Sequence, residues 1–544
     1  MREVFLSYEI NPSTWFYLSS LLIIGIFFKF YRVFSVRNMD LLGLLMFGPG
    51  MLLLLFGYER LGYGLMFTVG SFFLIRLLLD CLMVRRPLLE PNLDSSGMSF
   101  TCFALYMFLV GTVITSPSPL TLLKNSEMGK VYPVTLENAL RKSQLERSED
   151  EMALAATRGP GYPWFHQLAG SALYHDSVEL LRNSQADKST GARTNSLSNG
   201  SLSNGPKTDN GEPADNSIIP GNPDSQGNAA SADPNVSADL HALAEMGTGA
   251  KSGSGTDLES PSGTGNESGI AAPSASPDAG KISAWLVQQV FWTKLLAILG
   301  HLAIVIAIIM VGYFHFSNIK TGVAAATLYL LLPYMYQFPS RIDHIIPAAL
   351  LIWAVVFYRR PWLSGILIGL ASALVYYPWF LIPLWIGFYW RRGAFRFTTG
   401  AVSTIFLMVM TLFIFSENRE TCQEHLINMM GCVSLFWRHP QGFWEAAVPE
   451  LPYRIPVIAA YAGLAFSLLF WPAQKNLGSL LSCTAAVMLG SQFCHPYQGG
   501  LYLAWFMPFL ILTIFRPNLE DRIASTCVFE SRFRITSRPT PVNS

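Results

Sequence analysis

The stretch that decides the fold covers residues 337–385 and reads QFPSRIDHIIPAALLIWAVVFYRRPWLSGILIGLASALVYYPWFLIPLW. It places Arg341, Asp343 and His344 immediately before a long apolar run, and an arginine pair at 359–360 separates that run from the next. Ionisable residues at the end of a membrane helix are costly against lipid, so they line a cavity or lie at the water boundary. The stretch therefore predicts consecutive membrane helices with polar chemistry concentrated at one helix end.

The composition of the whole chain is that of a membrane protein. Hydrophobic residues make up 51% of the 544 residues and charged residues only 13%, whereas about a quarter of an ordinary soluble domain is charged. The mean hydropathy is +0.34. A formal net charge of +1 produces no overall field that would attract nucleic acid. We therefore expect a multi-pass protein of the inner or plasma membrane, with membrane lipids and no nucleic acid as partners and with its oligomeric state open.

Apolar runs recur along the chain at lengths that suit membrane helices. Because a bilayer core of about 30 Å requires about 20 apolar residues per helix, we predict an all-α polytopic transmembrane bundle of about 11–13 helices. The candidate runs are 14–31, 41–56, 61–83, 98–115, 286–314, 322–336, 344–358, 362–375, 376–390, 398–416, 456–471, 477–493 and 499–515.

Changes in composition divide the chain into five regions. Residues 185–280 are dominated by Ser, Gly, Asn, Asp, Ala and Pro. A segment so poor in apolar side chains cannot offset the entropy of ordering itself, which predicts a disordered linker. The five predicted regions are N-terminal transmembrane helices at 1–116, an extracytoplasmic amphipathic segment at 117–184, the linker at 185–280, C-terminal transmembrane helices at 281–517 and a loosely ordered cytoplasmic tail at 518–544.

Clusters of lysine and arginine set the predicted orientation, because cytoplasmic loops carry an excess of these residues. If the predicted helices alternate in direction, every basic cluster falls on one side, which we assign to the cytoplasm. The N-terminus and the loops beginning at residues 57, 116, 337, 417 and 491 are then extracytoplasmic. The clusters are Lys29 with Arg32 and Arg37, Arg85 with Arg86, Lys320, Arg359 with Arg360, Arg391 with Arg392 and Arg396, Lys475, and Arg516 with Arg522.

Arg76 and Asp80 stand four residues apart within the third predicted helix. This spacing puts both side chains on one helical face. Their charges can neutralise each other in a medium where a single charge costs about 3 kcal/mol. The spacing favours an internal ion pair that ties neighbouring helices together, and a role in transport or substrate binding is the alternative.

The sequence contains no motif for a common catalytic or metal site. It has no phosphate-cradling glycine loop, HExxH, CxxC or nucleophile-elbow pattern. Its seven cysteines show no metal-like spacing. We therefore predict no cofactor and no metal. Cys422 and Cys432 fall in one outer loop, where a disulfide and two free thiols both remain open.

A small group of reactive side chains is predicted to reach the outer face of the membrane. Arginine and histidine near headgroup depth suit a lipid-linked phosphate, because they give charge-assisted hydrogen bonds to its oxygens. A carboxylate in that setting can act as a general base. A chance gathering of such residues in outer loops is the alternative. The group consists of Arg341, Asp343, His344, Arg438, His439, Arg454 and His495. Among them the predicted substrate-binding residues are Arg341, His344, Arg438, His439 and His495, and the predicted catalytic residue is Asp343.

Two segments, 337–392 and 491–516, resemble a family of membrane enzymes. The first carries the patterns RRP, GILIGLA and YYP between residues 359 and 378. The second carries HPY at 495–497, followed by Tyr502, Trp505 and Pro508. Both are similar to parts of the GT-C integral membrane glycosyltransferases of the polyprenyl-phosphate mannosyltransferase kind.

The resemblance implies a helical membrane bundle that transfers a sugar from a polyprenyl-phosphate donor to an acceptor at the outer face. In that family an acidic residue of the first outer loop activates the acceptor hydroxyl, and a lysine often precedes the proline where this chain has Tyr376 and Tyr377. Residues 116–149 contain no aspartate, so the implied base is either Asp343 or a glutamate of the outer loops. A transporter or flippase, and a non-catalytic scaffold displaying a flexible outer segment, are the alternative functions.

Overall fold

Helices form the regular secondary structure of the described part of the chain. Apart from them, Asn476 and Ile523 form an isolated antiparallel β-bridge. The chain divides into one unit made of Met1–Gly170 with Leu286–Ser544 and a second unit, Ser171–Trp285. Nearly all the described residues belong to the first unit. The computed structural model describes residues 12–83, 90–115, 277–337, 339–415, 442–446, 451–473, 475–496, 499–519 and 522–528.

Thirteen helices of eight or more residues lie within these ranges, and each overlaps one of the predicted apolar runs. The all-α prediction is therefore confirmed for the described residues. The helices are α1 (Pro12–Phe27), α2 (Val36–Leu55), α3 (Glu59–Leu79), α4 (Ser95–Thr115), α5 (Pro277–Phe314), α6 (Ile319–Leu331), α7 (Ile342–Val356), α8 (Pro361–Leu374), α9 (Ile382–Tyr389), α10 (Ala394–Phe415), α11 (Leu451–Ser467), α12 (Leu477–Cys494) and α13 (Met507–Phe515).

Six of the described helices are long and apolar enough to cross a membrane, namely α2, α3, α4, α5, α10 and α12. Four more, α1, α6, α7 and α8, are apolar but shorter. Over its most apolar window α12 is 94% buried by the rest of the chain, whereas α4 and α10 are each 28% buried. The protein is thus a multi-pass membrane protein in which α12 is central and α4 and α10 are peripheral.

Helices α8 and α10 pack against each other through glycines. A Cβ atom added to Gly365 would lie 2.2 Å from the carbonyl oxygen of Phe397, and one added to Gly369 would lie 2.8 Å from that of Ala401. Small residues at such spacing let helix backbones approach closely. Because the residue numbers rise together on both helices, α8 and α10 run parallel and begin at the same end.

Two prolines lie at helix beginnings. Pro378 stands in the first turn of the 3₁₀ helix Tyr377–Leu381, and Pro383 stands in the first turn of α9. At those positions the missing N–H has no intrahelical partner to lose. The run predicted at 376–390 is therefore divided into this 3₁₀ helix and α9, with a proline in the first turn of each.

Three predicted boundaries shift in the structure. Helix α5 begins at Pro277, four residues inside the predicted linker, whose remainder at 185–276 lies outside the described residues together with the segment 117–184. Helix α11 begins at Leu451, so Arg454 is helical. The tail was predicted to be loose from residue 518, but Leu519, Ala524, Cys527 and Val528 are buried.

Candidate functional site

The amino end of α7 carries two of the predicted site residues. Arg341 is the N-cap and Asp343 lies in the first turn, where the helix dipole favours a carboxylate. Nη2 of Arg341 donates a hydrogen bond to Oδ2 of Asp343 at 3.3 Å, and the side chains remain 27% and 20% exposed. Burial lowers the pKa of Arg341, but the carboxylate of Asp343 together with the hydroxyls of Tyr502 and Tyr334 outweighs it and raises the pKa above its ordinary value. A permanent cation and a partly open carboxylate thus lie side by side.

His344 is buried beside this pair. Its Nδ1 shares a hydrogen bond with the hydroxyl of Tyr334, and its Nε2 lies 3.7 Å from Oδ2 of Asp343. The hydrogen bond with the phenol orients the imidazole, whereas the 3.7 Å between Nε2 and the carboxylate is longer than a hydrogen bond. His344 therefore lies beside Asp343 with its ring orientation set by Tyr334.

Tyr502 connects the amino end of α7 to the carboxyl end of α12. The centroid of its ring lies 4.5 Å from that of His344 and 4.2 Å from that of His495. His495 is fully buried and is the C-cap of α12. The guanidinium carbon of Arg341 lies 5.8 Å from the same Tyr502 centroid. Residues from distant parts of the sequence therefore meet around one aromatic ring.

Trp505 and Tyr377 complete this aromatic contact. Nε1 of Trp505 donates to the backbone oxygen of Asp343 at 3.2 Å, and its ring centroid lies 4.5 Å from that of Tyr502. The ring of Tyr377, just after α8, stacks on His495 with centroids 5.2 Å apart. The structure thus brings Arg341, Asp343, His344 and His495 together. We call these four residues the outer polar site, after the face on which the sequence predicts them.

Gln492 holds the loop that carries Tyr502. Its Oε1 accepts hydrogen bonds from the backbone N–H groups of Gly500 and Tyr502, both at 3.2 Å. Gly500 has a φ of 96°, which a residue with a Cβ rarely adopts. The sequence analysis missed Gln492, although a single amide inside an apolar run was a visible signal.

Arg454 approaches the outer polar site from α11. Its side chain is buried, and its Nη2 donates to the backbone oxygen of Cys494 at 3.1 Å. Cys494 immediately precedes His495, so a second arginine lies next to the C-cap of α12. Arg438 and His439, which were also predicted to bind substrate, lie outside the described residues. Among the residues that the structure does describe, no group of three or more His, Cys, Asp and Glu side chains could hold a metal ion.

A second group of charges lies at the opposite end of α13. Arg76 binds Asp80 at 3.0 Å, as its spacing predicted, and also binds both carboxylate oxygens of Asp40 at 3.0 and 3.1 Å. Arg516 binds the other oxygen of Asp80 at 3.0 and 2.5 Å. These four residues, which we call the charge cluster, join α2, α3 and the end of α13. The negative charges of the two aspartates balance the positive charges of the two arginines. This supports the interpretation of Arg76 and Asp80 as an internal ion pair that ties neighbouring helices together.

The fold and these two polar groups define the class: a multi-pass helical membrane protein with two separate groups of polar residues, the outer polar site and the charge cluster. No protein-family model, curated protein or solved structure matches this chain. The resemblance to GT-C enzymes therefore rests on the sequence patterns alone.

Proposed function

We propose that the chain is a glycosyltransferase-like membrane enzyme that moves a sugar from a polyprenyl-phosphate donor to an acceptor at the extracytoplasmic face. The observation that carries this proposal is the outer polar site, where Arg341, Asp343, His344 and His495 meet around Tyr502. A site for a phosphate-linked substrate needs cations beside a carboxylate, and those are the groups present. The two stretches that supply them are the ones that resemble GT-C enzymes.

Each residue has a distinct role in the proposed reaction. Arg341 and His495 bind the phosphate oxygens of the donor, and Asp343 accepts the proton of the acceptor hydroxyl. The acceptor oxygen then bonds to the anomeric carbon of the sugar, while the bond from that carbon to the phosphate oxygen breaks. Polyprenyl phosphate leaves with the electron pair, and the nearby cations stabilise its developing charge. His344, beside Asp343, is a further substrate-binding residue, and Arg438 and His439 are further donor ligands in this proposal.

The proposal includes a topology. We infer that the shorter helices α1, α6, α7 and α8 span the bilayer along with the six long helices, which gives ten crossings. The remaining helices α9, α11 and α13 bring the number to the predicted 11–13. Helix α7 supports this topology, because it separates Arg341 from the arginine pair at 359–360, which the basic-residue rule assigns to opposite sides. The outer polar site then faces the exterior of the cell membrane, and the linker is displayed on that same side.

The test is sugar transfer by the full-length protein in proteoliposomes. A radiolabelled mannosyl-phosphoryl polyprenol serves as donor and a cellular lipid and glycan extract as acceptor, and labelled product is counted. We expect Asp343→Asn to lower the rate by about 10²-fold or more, because a general base contributes that much. Glu90→Gln, an exposed acid away from the site, is the matched control and should transfer at the wild-type rate.

Two results would overturn this proposal. One is a folded wild-type protein that transfers no sugar from any polyprenyl-phosphate donor. The other is an unchanged rate in Asp343→Asn. A loss of transfer in Glu59→Gln would instead move the general base to that exposed residue at the start of α3. Size-exclusion profiles and unfolding temperatures show whether each variant folds.

A transporter or flippase is the second candidate, favoured by the four ionisable residues of the charge cluster inside the helices. Lipid translocation by proteoliposomes without any sugar transfer would support it.

A scaffold that displays residues 185–276 can be distinguished from an enzyme by deleting this segment. The enzyme should keep its rate without this segment, whereas a scaffold would lose its function.

A further inference from the structure

The parallel helices α8 and α10 bring two arginine pairs to one end of the bundle. Gly393, just before α10, has a φ of 104°, and a Cβ added there would lie 2.6 Å from Cγ of Pro361. Only glycine fits this position, both for its backbone conformation and for the close approach. The contact fixes the turn at 391–392 directly against the turn at 359–360.

Hydrogen bonds strengthen the same junction. The hydroxyl of Tyr389, at the end of α9, donates to the backbone oxygen of Tyr358 at 2.5 Å. The hydroxyl of Ser364 donates to the backbone oxygens of Ala354 and Phe357 at 3.0 and 2.9 Å. The ends of α7 and α9 and the beginning of α8 are thus tied together, so the arginines on these turns keep fixed relative positions.

Some of these arginines face the protein and others face outward. Arg392 donates from Nη1 to the backbone oxygen of Ser525 at 2.8 Å, and the guanidinium carbon of Arg359 lies 5.9 Å from the ring centroid of Tyr358. Arg360, Arg391 and Arg396 are exposed. Three large aromatic side chains next to them are exposed as well, namely Trp362 at 54%, Trp390 at 72% and Phe395 at 81%.

We call Arg360, Arg391, Arg396, Trp362, Trp390 and Phe395 the arginine–aromatic patch. The chain from residue 344 to residue 416 contains five arginines and no aspartate, glutamate or lysine. The amino ends of α8 and α10 meet the carboxyl ends of α7 and α9 at this junction, so the helix dipoles largely offset one another. The local field is positive because of the arginines, and no acid of this long stretch opposes it.

We propose that the arginine–aromatic patch binds the headgroup of an anionic phospholipid. Exposed tryptophan beside arginine is the composition of a membrane–water interface, where the ring lies at headgroup level and the cation meets the lipid phosphate. Arginine suits this partner because its planar fork binds two phosphate oxygens at once. The site lies at the opposite end of α7 from Arg341, and it is independent of the proposed sugar transfer.

The test uses the full-length protein purified in a neutral detergent. Phosphatidylglycerol or phosphatidylcholine is titrated in, and bound lipid is counted by native mass spectrometry alongside the unfolding temperature. The wild type should retain phosphatidylglycerol in preference to phosphatidylcholine. Arg360→Gln/Arg391→Gln should bind phosphatidylglycerol about tenfold more weakly or worse, since each basic residue near a lipid surface contributes severalfold.

Control variants show whether a loss of lipid binding is specific to the arginine–aromatic patch. Arg32→Gln/Lys320→Gln removes the same charge from two other exposed positions and should bind phosphatidylglycerol as the wild type does. Arg360→Lys/Arg391→Lys keeps the charge but loses the planar fork, and it should bind phosphatidylglycerol more weakly than the wild type and more tightly than Arg360→Gln/Arg391→Gln. Trp390→Ala should weaken binding of the lipid but leave the fold intact.

Three outcomes would overturn the proposal. The first is equal retention of phosphatidylglycerol and phosphatidylcholine by the wild type. The second is an equal loss of binding in the control pair, which would indicate general charge attraction. The third is equal stabilisation of the protein by inorganic phosphate, which would assign the patch to a free anion.

Discussion

The guanidinium of Arg76 binds both carboxylate oxygens of Asp40, with Nε at 3.0 Å from Oδ1 and Nη2 at 3.1 Å from Oδ2. Asp40 lies near the beginning of α2 and Arg76 near the end of α3, so the pair clamps two antiparallel helices at one end. Both side chains are buried. This contact, together with Asp80 and Arg516, explains how four charges are accommodated inside an apolar bundle.

Removing only the arginine of this ion pair should lower the free energy of unfolding. Arg76→Gln leaves Asp40 buried without its cation, and we expect a loss of about 3–5 kcal/mol in the free energy of unfolding. Asp40→Asn/Arg76→Gln removes one charge of each sign and should be more stable than the single variant. Chemical unfolding of the purified protein measures both. A double variant no more stable than Arg76→Gln would contradict the pairing.

Close packing between α8 and α10 should be sensitive to a single methyl group. Gly365→Ala forces a Cβ to 2.2 Å from the carbonyl oxygen of Phe397, so the helices must separate, at a cost of about 1–3 kcal/mol. Gly111→Ala is the matched control, because nothing lies within 4 Å of a Cβ there. That control should gain about 0.5–1 kcal/mol from the better helix propensity of alanine. Equal unfolding temperatures for the two variants would be inconsistent with this packing.

Cys81 and Cys483 should form a disulfide under mild oxidation. Their Sγ atoms lie 3.5 Å apart, and a disulfide needs a separation of about 2 Å. As the bond forms, each thiol gives one electron to copper(II) phenanthroline, which is reduced to copper(I), and releases one proton to solvent. Peptide mass spectrometry without reduction should find the link in the wild type and in Cys102→Ser, and lose it in Cys483→Ser. Absence of the link in folded wild type would show that α3 and α12 do not approach in this register.

The two ends of α7 should be accessible from opposite sides of the membrane. In a cysteine-free variant, Ser340→Cys should react with an impermeant maleimide applied outside intact cells. Arg396, near the beginning of α10, lies at the same end of the bundle as the arginine pair at 359–360, which follows α7. Arg396→Cys should therefore react only after permeabilisation. Labelling of both positions from the same side would contradict the orientation derived from the basic clusters.

Gln492 should support the outer polar site without belonging to it. Gln492→Leu leaves the N–H groups of Gly500 and Tyr502 without their acceptor, and we expect a loss of about 2 kcal/mol in unfolding free energy. Because Tyr502 contacts both His344 and His495, sugar transfer should also fall. Gln492→Glu keeps an acceptor oxygen and should restore part of the rate. Equal rates in both variants and the wild type would remove Gln492 from this role.

Local patterns predicted the helices well. Each predicted apolar run overlaps one of α1 to α13, since the length and hydropathy of a membrane helix are properties of a single continuous segment. The pairing of Arg76 with Asp80 was also predictable, because residues spaced four apart on a helix lie on the same face.

The sequence by itself thus determined that the protein is helical and lies in a membrane, together with the residue types available at each helix end. Only the tertiary structure decided which of them meet: that Asp40 and Arg516 complete the charge cluster, that His344 and His495 contact one tyrosine, and that two arginine pairs share a junction at Gly393 and Pro361. Contacts between residues far apart in the chain depend on how helices pack, and packing depends on shape and close approach between whole helices. A local pattern of hydrophobic and polar residues does not specify these.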